Sequence, residues 1–130
     1  MPSPEALDRF IALIESNAHA EAAEEFYSEH TVARENQGEK RIGRAVQVSR
    51  ERAILAKAVR VESTCVRPAL LAGDHVAIRW IFEFQWRDGS VTRMEEVAIQ
   101  RWVGDFIAEE TFFYDPAQMV PRRAPEGAAG

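Results

Sequence analysis

Hydrophobic residues recur at helical spacing in three segments of the N-terminal half of the chain. In the first segment Leu7, Phe10, Ile11 and Ile14 form one apolar stripe, and the preceding Ser3 is typical of a helix N-cap. The second segment is the Ala- and Glu-rich run AHAEAAEEFYSEH, and the third is RAVQVSRERAILAKA. The pattern therefore predicts three helices, with only the short segment TVAREN as a strand between them.

The C-terminal half changes to a two-residue alternation that is typical of strands. The segment VRVESTCVRPALLAG is rich in β-branched residues, and its Pro68 suggests an edge strand or a bulge. HVAIRWIFEFQWR then alternates strictly up to Asp88–Gly89, the strongest short hairpin signal, and SVTRMEEVAIQRW leads to a second turn at Gly104–Asp105. We therefore predict an α+β fold in which helices cover one face of a meander of antiparallel strands.

The register of these strands decides which side chains share a face. If both turns are two-residue loops, Phe82 lies opposite Glu95, and Val97 lies opposite Phe112. One face then gathers the aromatic side chains together with Glu95 and Glu110, whereas the neighbouring glutamate at position 96 points to the other, mixed face. A bulge in either strand would reverse this assignment, because a slip of one residue moves every side chain to the other face.

A carboxyl group among aromatic side chains loses hydration, so its pKa rises and it can exchange protons near neutral pH. The candidate acid–base residues are Glu95, Glu110 and Glu35. Tyr27 and Tyr114 are candidate hydrogen-bond donors to a carbonyl or enolate oxygen. The candidate ligand-binding residues are Tyr27, Asn36, Trp80, Phe82, Val97, Phe112 and Tyr114.

A structural interpretation of the same residues stays open. Glu95 can form ion pairs with Arg93 or Arg101, and Glu110 can pair with Arg101. The aromatic side chains can belong to the core, in which case they fill the space that a ligand would need.

Composition narrows the classes of function. The chain has 130 residues and a net charge of −5, which argues against non-specific nucleic-acid binding. The single cysteine excludes an internal disulfide, and the three histidines lack the spacing of metal ligands. We see neither a signal peptide nor an apolar run of ~18 residues that could span a membrane. We therefore predict a cytoplasmic protein with one domain at residues 1–120, and a disordered tail at residues 121–130.

Four segments in this order resemble the SnoaL-like domains of the nuclear transport factor 2-like superfamily. They are EEFYSEHTVAREN, RIGRAVQVSRERA, LLAGDHVAIRWIFEF and VAIQRWVGDFIAEETFFYDPAQ, and the resemblance covers about residues 5 to 118. It implies a cone, in which a strongly curved sheet wraps a pocket that three N-terminal helices close. It also implies a homodimer through the outer face of the sheet.

The enzymes of that superfamily include polyketide cyclases, ketosteroid isomerases and epoxide hydrolases, which use pocket carboxylates without metals or cofactors. By resemblance, Glu35 or Arg34 lies near the basic aspartate of isomerase-type members, and Glu110 lies near a pocket residue of hydrolase-type members. Phe112 stands where hydrolases have an acid, which speaks against epoxide hydrolysis. We expect a small hydrophobic ligand in the pocket, with cofactor-free isomerase-, cyclase- or hydrolase-type chemistry. The alternative is a non-catalytic dimeric binding or protein-interaction module.

Overall fold

The computed structural model describes residues 1–123, which form three helices, a curved seven-stranded sheet and one short 3-10 helix. In chain order these are α1 (Pro4–Glu15), α2 (His19–Phe26), β1 (Tyr27–Glu35), β2 (Arg41–Ile42), α3 (Arg44–Lys57), β3 (Ala58–Ala72), β4 (His75–Trp86), β5 (Ser90–Val103), β6 (Phe106–Phe113), the 3-10 helix (Pro116–Met119) and β7 (Arg122–Arg123). The predicted α+β class is confirmed, with three N-terminal helices followed by long strands.

The sheet is mixed and does not close on itself. Its strand order is β2-β1-β6-β5-β4-β3, and β7 pairs with the free first part of β5. Strands β3 to β6 form the predicted antiparallel meander, whereas β1 runs parallel to β6. This parallel contact brings the end of the second helix next to the last long strand.

The helices pack on the inner face of the sheet, where the core lies. Ser3 caps α1 by accepting a hydrogen bond from the backbone N–H of Ala6, as its position in the sequence predicts. Phe10 of α1 packs edge-to-face against Phe26 of α2 and against Trp102 of β5, with ring centroids 5.7 and 5.9 Å apart. The apolar stripe of the first helix is therefore what anchors the helices to the sheet.

Strand β3 behaves as its proline predicts. It is the last strand of the sheet order, and its pairing with β4 becomes irregular between Val66 and Leu70, around Pro68. A proline cannot donate to a strand ladder, so it is tolerated at an edge and at a bulge.

The predicted register of the first hairpin is wrong by one residue. Gln85 pairs with Val91, and Phe82 pairs with Met94, so the loop has three residues. The backbone N–H of Gly89 donates to the carbonyl of Trp86 (3.0 Å), and Gly89 has a φ of 86°, as in a tight turn followed by a left-handed residue. The glycine thus occupies the third loop position, and every side chain of β5 faces opposite to the prediction.

The second hairpin has the predicted two-residue turn, but a bulge follows it. Val103 pairs with Phe106 and Trp102 with Ile107, yet Arg101 pairs with Glu109, so β6 carries one extra residue. The Thr31 hydroxyl donates to the carbonyl of Ile107 (3.0 Å) at this point. Relative to β4, the loop error and the bulge cancel, and Glu110 lies on the predicted inner face.

The described chain ends in a short strand. Arg122 and Arg123 pair with the start of β5. Residues 124–130 of the predicted disordered tail lie outside the described residues. No helix within residues 1–123 is long and apolar enough to cross a membrane.

Candidate acid–base site in the cone

A cavity of about 140 Å³ lies between the inner face of the sheet and the helices. A single water needs roughly 10–15 Å³ by the same kind of measure, so the cavity has room for a small organic molecule. Its lining is mainly apolar and aromatic, with four carboxyl groups and one arginine among the polar side chains. The lining residues are Phe10, Ile14, His19, Ala23, Tyr27, Glu35, Arg50, Glu51, Ile54, Trp80, Phe82, Phe84, Trp86, Thr92, Met94, Glu96, Glu110, Phe112, Tyr114 and Met119.

Seven of the ten candidate catalytic and ligand-binding residues predicted from the sequence line this cavity. They are the carboxyl-bearing Glu35 and Glu110 together with Tyr27, Trp80, Phe82, Phe112 and Tyr114. Strand β4 supplies the two central aromatics, whose rings stack with centroids 5.5 Å apart. Helix α2 and strands β1, β4 and β6 thus converge on one space, as the cone resemblance implies.

Three nominated residues lie elsewhere. Glu95 is exposed on the outer face and pairs with Arg93 (Nη1 to Oε1, 3.1 Å), which is the structural alternative foreseen for it. Val97 lies on the same outer face, because the three-residue loop turned β5 over. Asn36 has a φ of 50° and accepts a hydrogen bond from the backbone N–H of Tyr114 (3.0 Å), so it shapes a turn instead of lining the cavity.

Glu110 is the most firmly held carboxyl group in the cavity. The hydroxyl of Tyr27 donates to one of its oxygens, and the amide of Gln100 donates to the other (2.5 Å). The indole N–H of Trp102 donates in turn to the side-chain amide oxygen of Gln100 (Oε1, 2.9 Å). All four side chains are buried, so this chain of hydrogen bonds fixes the orientation of the carboxyl group.

Burial raises the pKa of Glu110 to about 7, although its bonds from Tyr27 and Gln100 act in the opposite direction. Those bonds favour the charged form, whereas the low-dielectric surroundings and the nearby Glu51 and Glu35 disfavour it. The pKa of Tyr27 is itself raised, first by burial and then by the charge of Glu110. Tyr27 therefore stays protonated and remains a donor.

Glu96 is the pocket carboxyl group that the sequence analysis assigned to the wrong face. It is 9% exposed and lines the cavity opposite Trp80, and no residue within 1–123 donates a hydrogen bond to its carboxyl group. Burial raises its pKa to about 8, and the charges of Glu110, Glu35 and Glu51 add to the effect. At neutral pH it is therefore mainly protonated.

Glu35 is tied to arginines. It accepts a hydrogen bond from Arg41 and another from Arg50 (Nη2 to Oε1, 2.8 Å). Arg50 also lies 3.8 Å from Glu51, whose pKa is raised by burial. These two acids therefore have arginine counter-ions, which distinguishes them from Glu96 and Glu110.

His19 belongs to a separate buried hydrogen-bond chain at the cavity wall. The Ser63 hydroxyl donates to Asn17 Oδ1 (2.8 Å), so His19 Nε2, 2.8 Å from Ser63 Oγ, is assigned as the donor to that hydroxyl. Burial lowers the pKa of His19 to about 4, so the ring is neutral at neutral pH. Within residues 1–123, no group of three or more His, Cys, Asp or Glu side chains is placed to hold a metal ion.

A signal for the missed residues was present in the sequence. If the hairpin loop had two residues, the inward side chains of β5 would include Arg93, Glu95 and Arg101. With the observed face, Glu96 is the one charged residue among its inward positions, beside Met94, Ala98 and Trp102. Counting charges on the two alternating faces would therefore have favoured the three-residue loop.

Several known structures share this fold. A hypothetical protein from Catenulispora acidiphila, described as having a ketosteroid isomerase-like fold and solved with trimethylamine, superposes with a TM-score of 0.71 at 19% identity over 87% of each chain. An epoxide hydrolase from M. tuberculosis gives 0.72 at 10% identity over 88% of this chain and 84% of that one. A protein from Jannaschia sp. CCS1, named for its likeness to SnoaL-like polyketide cyclases, gives 0.74 at 13% identity over 95% and 96%.

The chain has the nuclear transport factor 2-like cone fold. The neighbours of this fold include proteins of unknown function and proteins named for different activities, so the fold does not select one ligand or reaction. No protein-family model matches the sequence, and neither does any curated protein.

Proposed function

We propose that this protein is a cofactor-independent acid–base enzyme that acts on a small, largely hydrophobic molecule held in the cone. The observation that carries the proposal is the pair Glu96 and Glu110, which share one apolar cavity and have pKa values raised to about 8 and about 7. A proton donor and a proton acceptor work best when their pKa values lie near the working pH. Near pH 7 Glu96 is the donor and Glu110 is the acceptor.

The two carboxyl groups would work at separate points of the ligand. Glu110 lies opposite Gln100, and Glu96 lies four residues further along β5, so their backbone positions are about 13 Å apart along the strand, while the charge of Glu110 still reaches Glu96. A ligand between them would contact Glu96 at one end and Glu110 at the other. Tyr27 then serves as a positioning residue for Glu110, because its hydroxyl is already engaged with that carboxyl group.

The aromatic wall supports the hydrophobic part of the proposal. Trp80, Phe82, Phe112 and Tyr114 line the same cavity as the two acids and can bury the body of an apolar ligand. The Catenulispora protein, which has the same fold, was solved in complex with a small organic molecule, trimethylamine.

A probe substrate tests this without knowledge of the natural one. 5-Nitrobenzisoxazole is a small apolar molecule that opens when a base removes its ring proton, and the product is coloured. We expect Glu110→Gln to lower kcat/KM by ~100-fold or more, which is the usual contribution of a general base. The matched control is Glu95→Gln, which removes an exposed carboxylate one residue away from Glu96 and should leave kcat/KM unchanged.

The pH profile gives a second readout. We expect kcat/KM to rise with an apparent pKa near 7 as Glu110 ionises and to fall near 8 as Glu96 loses its proton. Equal rates for the wild type and Glu110→Gln, or a flat profile between pH 6 and 9, would contradict the proposed roles.

We also propose that the protein forms a homodimer in the cytoplasm, as the superfamily resemblance implies. Four large apolar residues are exposed on the outer face of β5 and β6, namely Ile99, Val103, Phe106 and Phe113. Val103 pairs directly with Phe106, and Phe113 pairs with Val97, so they line neighbouring strands. Clustered apolar exposure of this kind favours a subunit contact.

A further inference from the structure

We propose that the ligand of the cone is an amine, whose protonated nitrogen lies against Glu96 as its counter-ion. This inference rests on the proposed function, since it names the group with which Glu96 exchanges its proton. It begins from the balance of charged groups around the cavity.

Arginine counter-ions compensate only part of the cavity's carboxyl groups. Glu35 forms salt bridges with both Arg41 and Arg50, and Arg50 forms a further, longer one with Glu51. Glu110 has two hydrogen-bond donors but no ion pair with a described cation, and Glu96 has neither. The cavity therefore holds more acid than base, and the deficit is concentrated at Glu96.

Glu96 is also the carboxyl group that is ready for a ligand. It is more than nine-tenths buried and lines the cavity, and within residues 1–123 no side chain or backbone group donates a hydrogen bond to it. Its carboxyl oxygens are not among the fully enclosed side-chain atoms of the described residues that lack a partner, so they keep accessible surface that a molecule in the cavity can reach. A bound molecule can supply the hydrogen-bond donor that the protein does not provide to Glu96.

The sign of the field selects the charge of that molecule. The carboxyl groups that face Glu96 are Glu110 from β6, Glu35 from β1 and Glu51 from α3, and Arg50 of α3 opposes them only in part. Such a site repels an anion and attracts a cation. A nitrogen that carries apolar substituents would satisfy both the acid and the aromatic wall, because the substituents would lie against Trp80 and Phe82.

Proton exchange follows from this arrangement without a further reactant. A neutral amine that enters the cavity takes the proton of Glu96 onto its lone pair, which leaves an ammonium ion beside a carboxylate. A quaternary ammonium ion carries no lone pair, so its binding sends the proton of Glu96 to solvent instead. Both routes end in the same ion pair.

Three molecules of one shape test the charge preference. Choline, 3,3-dimethylbutan-1-ol and 3,3-dimethylbutanoate share a trimethyl head or its carbon equivalent and are respectively cationic, neutral and anionic. Titration at pH 8, followed by the fluorescence of Trp80 and Trp86 in the lining, should give an affinity for choline at least tenfold above that for the alcohol. We expect the butanoate to bind more weakly than either.

The pH dependence and the proton count add readouts that need no variant. Because Glu96 must ionise, the affinity for choline should rise about tenfold from pH 6 to pH 7 and level off above pH 8, whereas the affinity for the alcohol should change little. Calorimetry at pH 7 in buffers of different ionisation enthalpy should detect close to one proton released per choline bound. Glu96→Gln should lose the choline preference and keep the alcohol, and Glu95→Gln should behave as the wild type.

The outcomes separate this inference from the proposed function. If the alcohol binds and choline does not, or if the preference survives in Glu96→Gln, the amine assignment is overturned and the acid–base proposal stands. If none of the three binds and 5-nitrobenzisoxazole is not turned over, both proposals fail.

Discussion

The two faces of strand β5 show how one residue type acquires opposite properties at adjacent positions. Glu95 points outward, is exposed and pairs with Arg93, which is a contact worth at most about 1 kcal/mol at a surface. Glu96 points inward, has no hydrogen-bond donor within residues 1–123, and has a pKa raised to about 8. The chemical difference between these neighbours is therefore created by the fold alone.

The same contrast extends along the strand. Inward positions carry Thr92, Ala98, Gln100 and Trp102, which are buried, and two of these form the hydrogen-bond chain to Glu110. Outward positions are exposed or half-buried and include salt bridges and apolar side chains. The inner face thus carries the core packing and the candidate chemistry, while the outer face is left free for the proposed dimer contact.

The largest effect should come from removing the aromatic anchor of the inner face. Trp102 is 1% exposed, packs against Phe10 and Phe26, and donates to Gln100, so Trp102→Ala should lower the free energy of unfolding by about 3–5 kcal/mol. Urea unfolding measures this. The control Leu70→Ala removes an apolar side chain that is 63% exposed on the outer face of the edge strand β3, away from the proposed dimer contact, and should cost about 1 kcal/mol or less. Equal losses in the two variants would refute the contrast between the faces.

The next effect concerns how stability depends on pH. The pKa of Glu96 is raised from 4.5 to about 8, so between these values the folded state holds a proton that the unfolded state has released. Glu96 therefore lowers stability as pH rises from about 4.5 to 8 and has no further effect above 8. Relative to the wild type, Glu96→Gln should gain on the order of a few kcal/mol in unfolding free energy between pH 5 and pH 8.

The measurement is urea unfolding of both proteins at several pH values, with Glu95→Gln as the control. Because Glu95 is exposed, the unfolding free energy of Glu95→Gln, plotted against pH, should run parallel to that of the wild type. A Glu96→Gln curve that also runs parallel would show that Glu96 titrates as an ordinary solvated carboxylate.

A smaller effect isolates the hydrogen bond that holds the acceptor. The bond from Tyr27 lowers the pKa of Glu110 against the effect of burial, so Tyr27→Phe should raise that pKa further. We also expect a loss of about 1–2 kcal/mol in stability, since a buried acceptor loses its donor. Carbon-13 NMR of labelled glutamate follows the titration directly.

Tyr114→Phe is the matched control, since it also removes one hydroxyl from the cavity lining but none that donates to Glu110. Its Glu110 titration should coincide with that of the wild type. If Tyr27→Phe leaves the Glu110 titration unmoved, the positioning role is wrong.

The smallest effect on the folded monomer is expected on the outer face. Ile99→Glu adds a charge at an exposed position and should change the stability of the monomer by about 0.5 kcal/mol or less. If the outer face joins two copies, Ile99→Glu should convert the dimer to a monomer, which light scattering after gel filtration would detect. Leu70→Glu, at an exposed position on the edge strand β3, should leave the assembly unchanged. A wild-type protein that is monomeric at all concentrations would remove the proposed interface.

The sequence alone determined the elements and much of the pocket. Helical spacing, the cap at Ser3 and the alternation after Val59 are local properties, so they predicted three helices and a meander of long strands. Tyr27, Glu35 and Glu110 were candidates from their residue types and positions, and the resemblance carried by the order of the motifs added the cone. The helices and strands themselves follow from short-range propensity and periodicity, which a chain carries with it wherever it folds.

Only the tertiary structure decided which glutamate faces the cavity. A three-residue loop at Arg87–Gly89 and a bulge at Ala108 each shift the pairing by one residue, and side chains on a strand alternate, so each shift exchanges the two faces. Because of the loop, Glu96 and not Glu95 points into the cavity. Because the loop and the bulge together shift the pairing by two residues, Glu110 lies on the face that was predicted for it. Burial then set the pKa values of Glu96 and Glu110, because these carboxyl groups lose water and approach other charges only when the chain is folded.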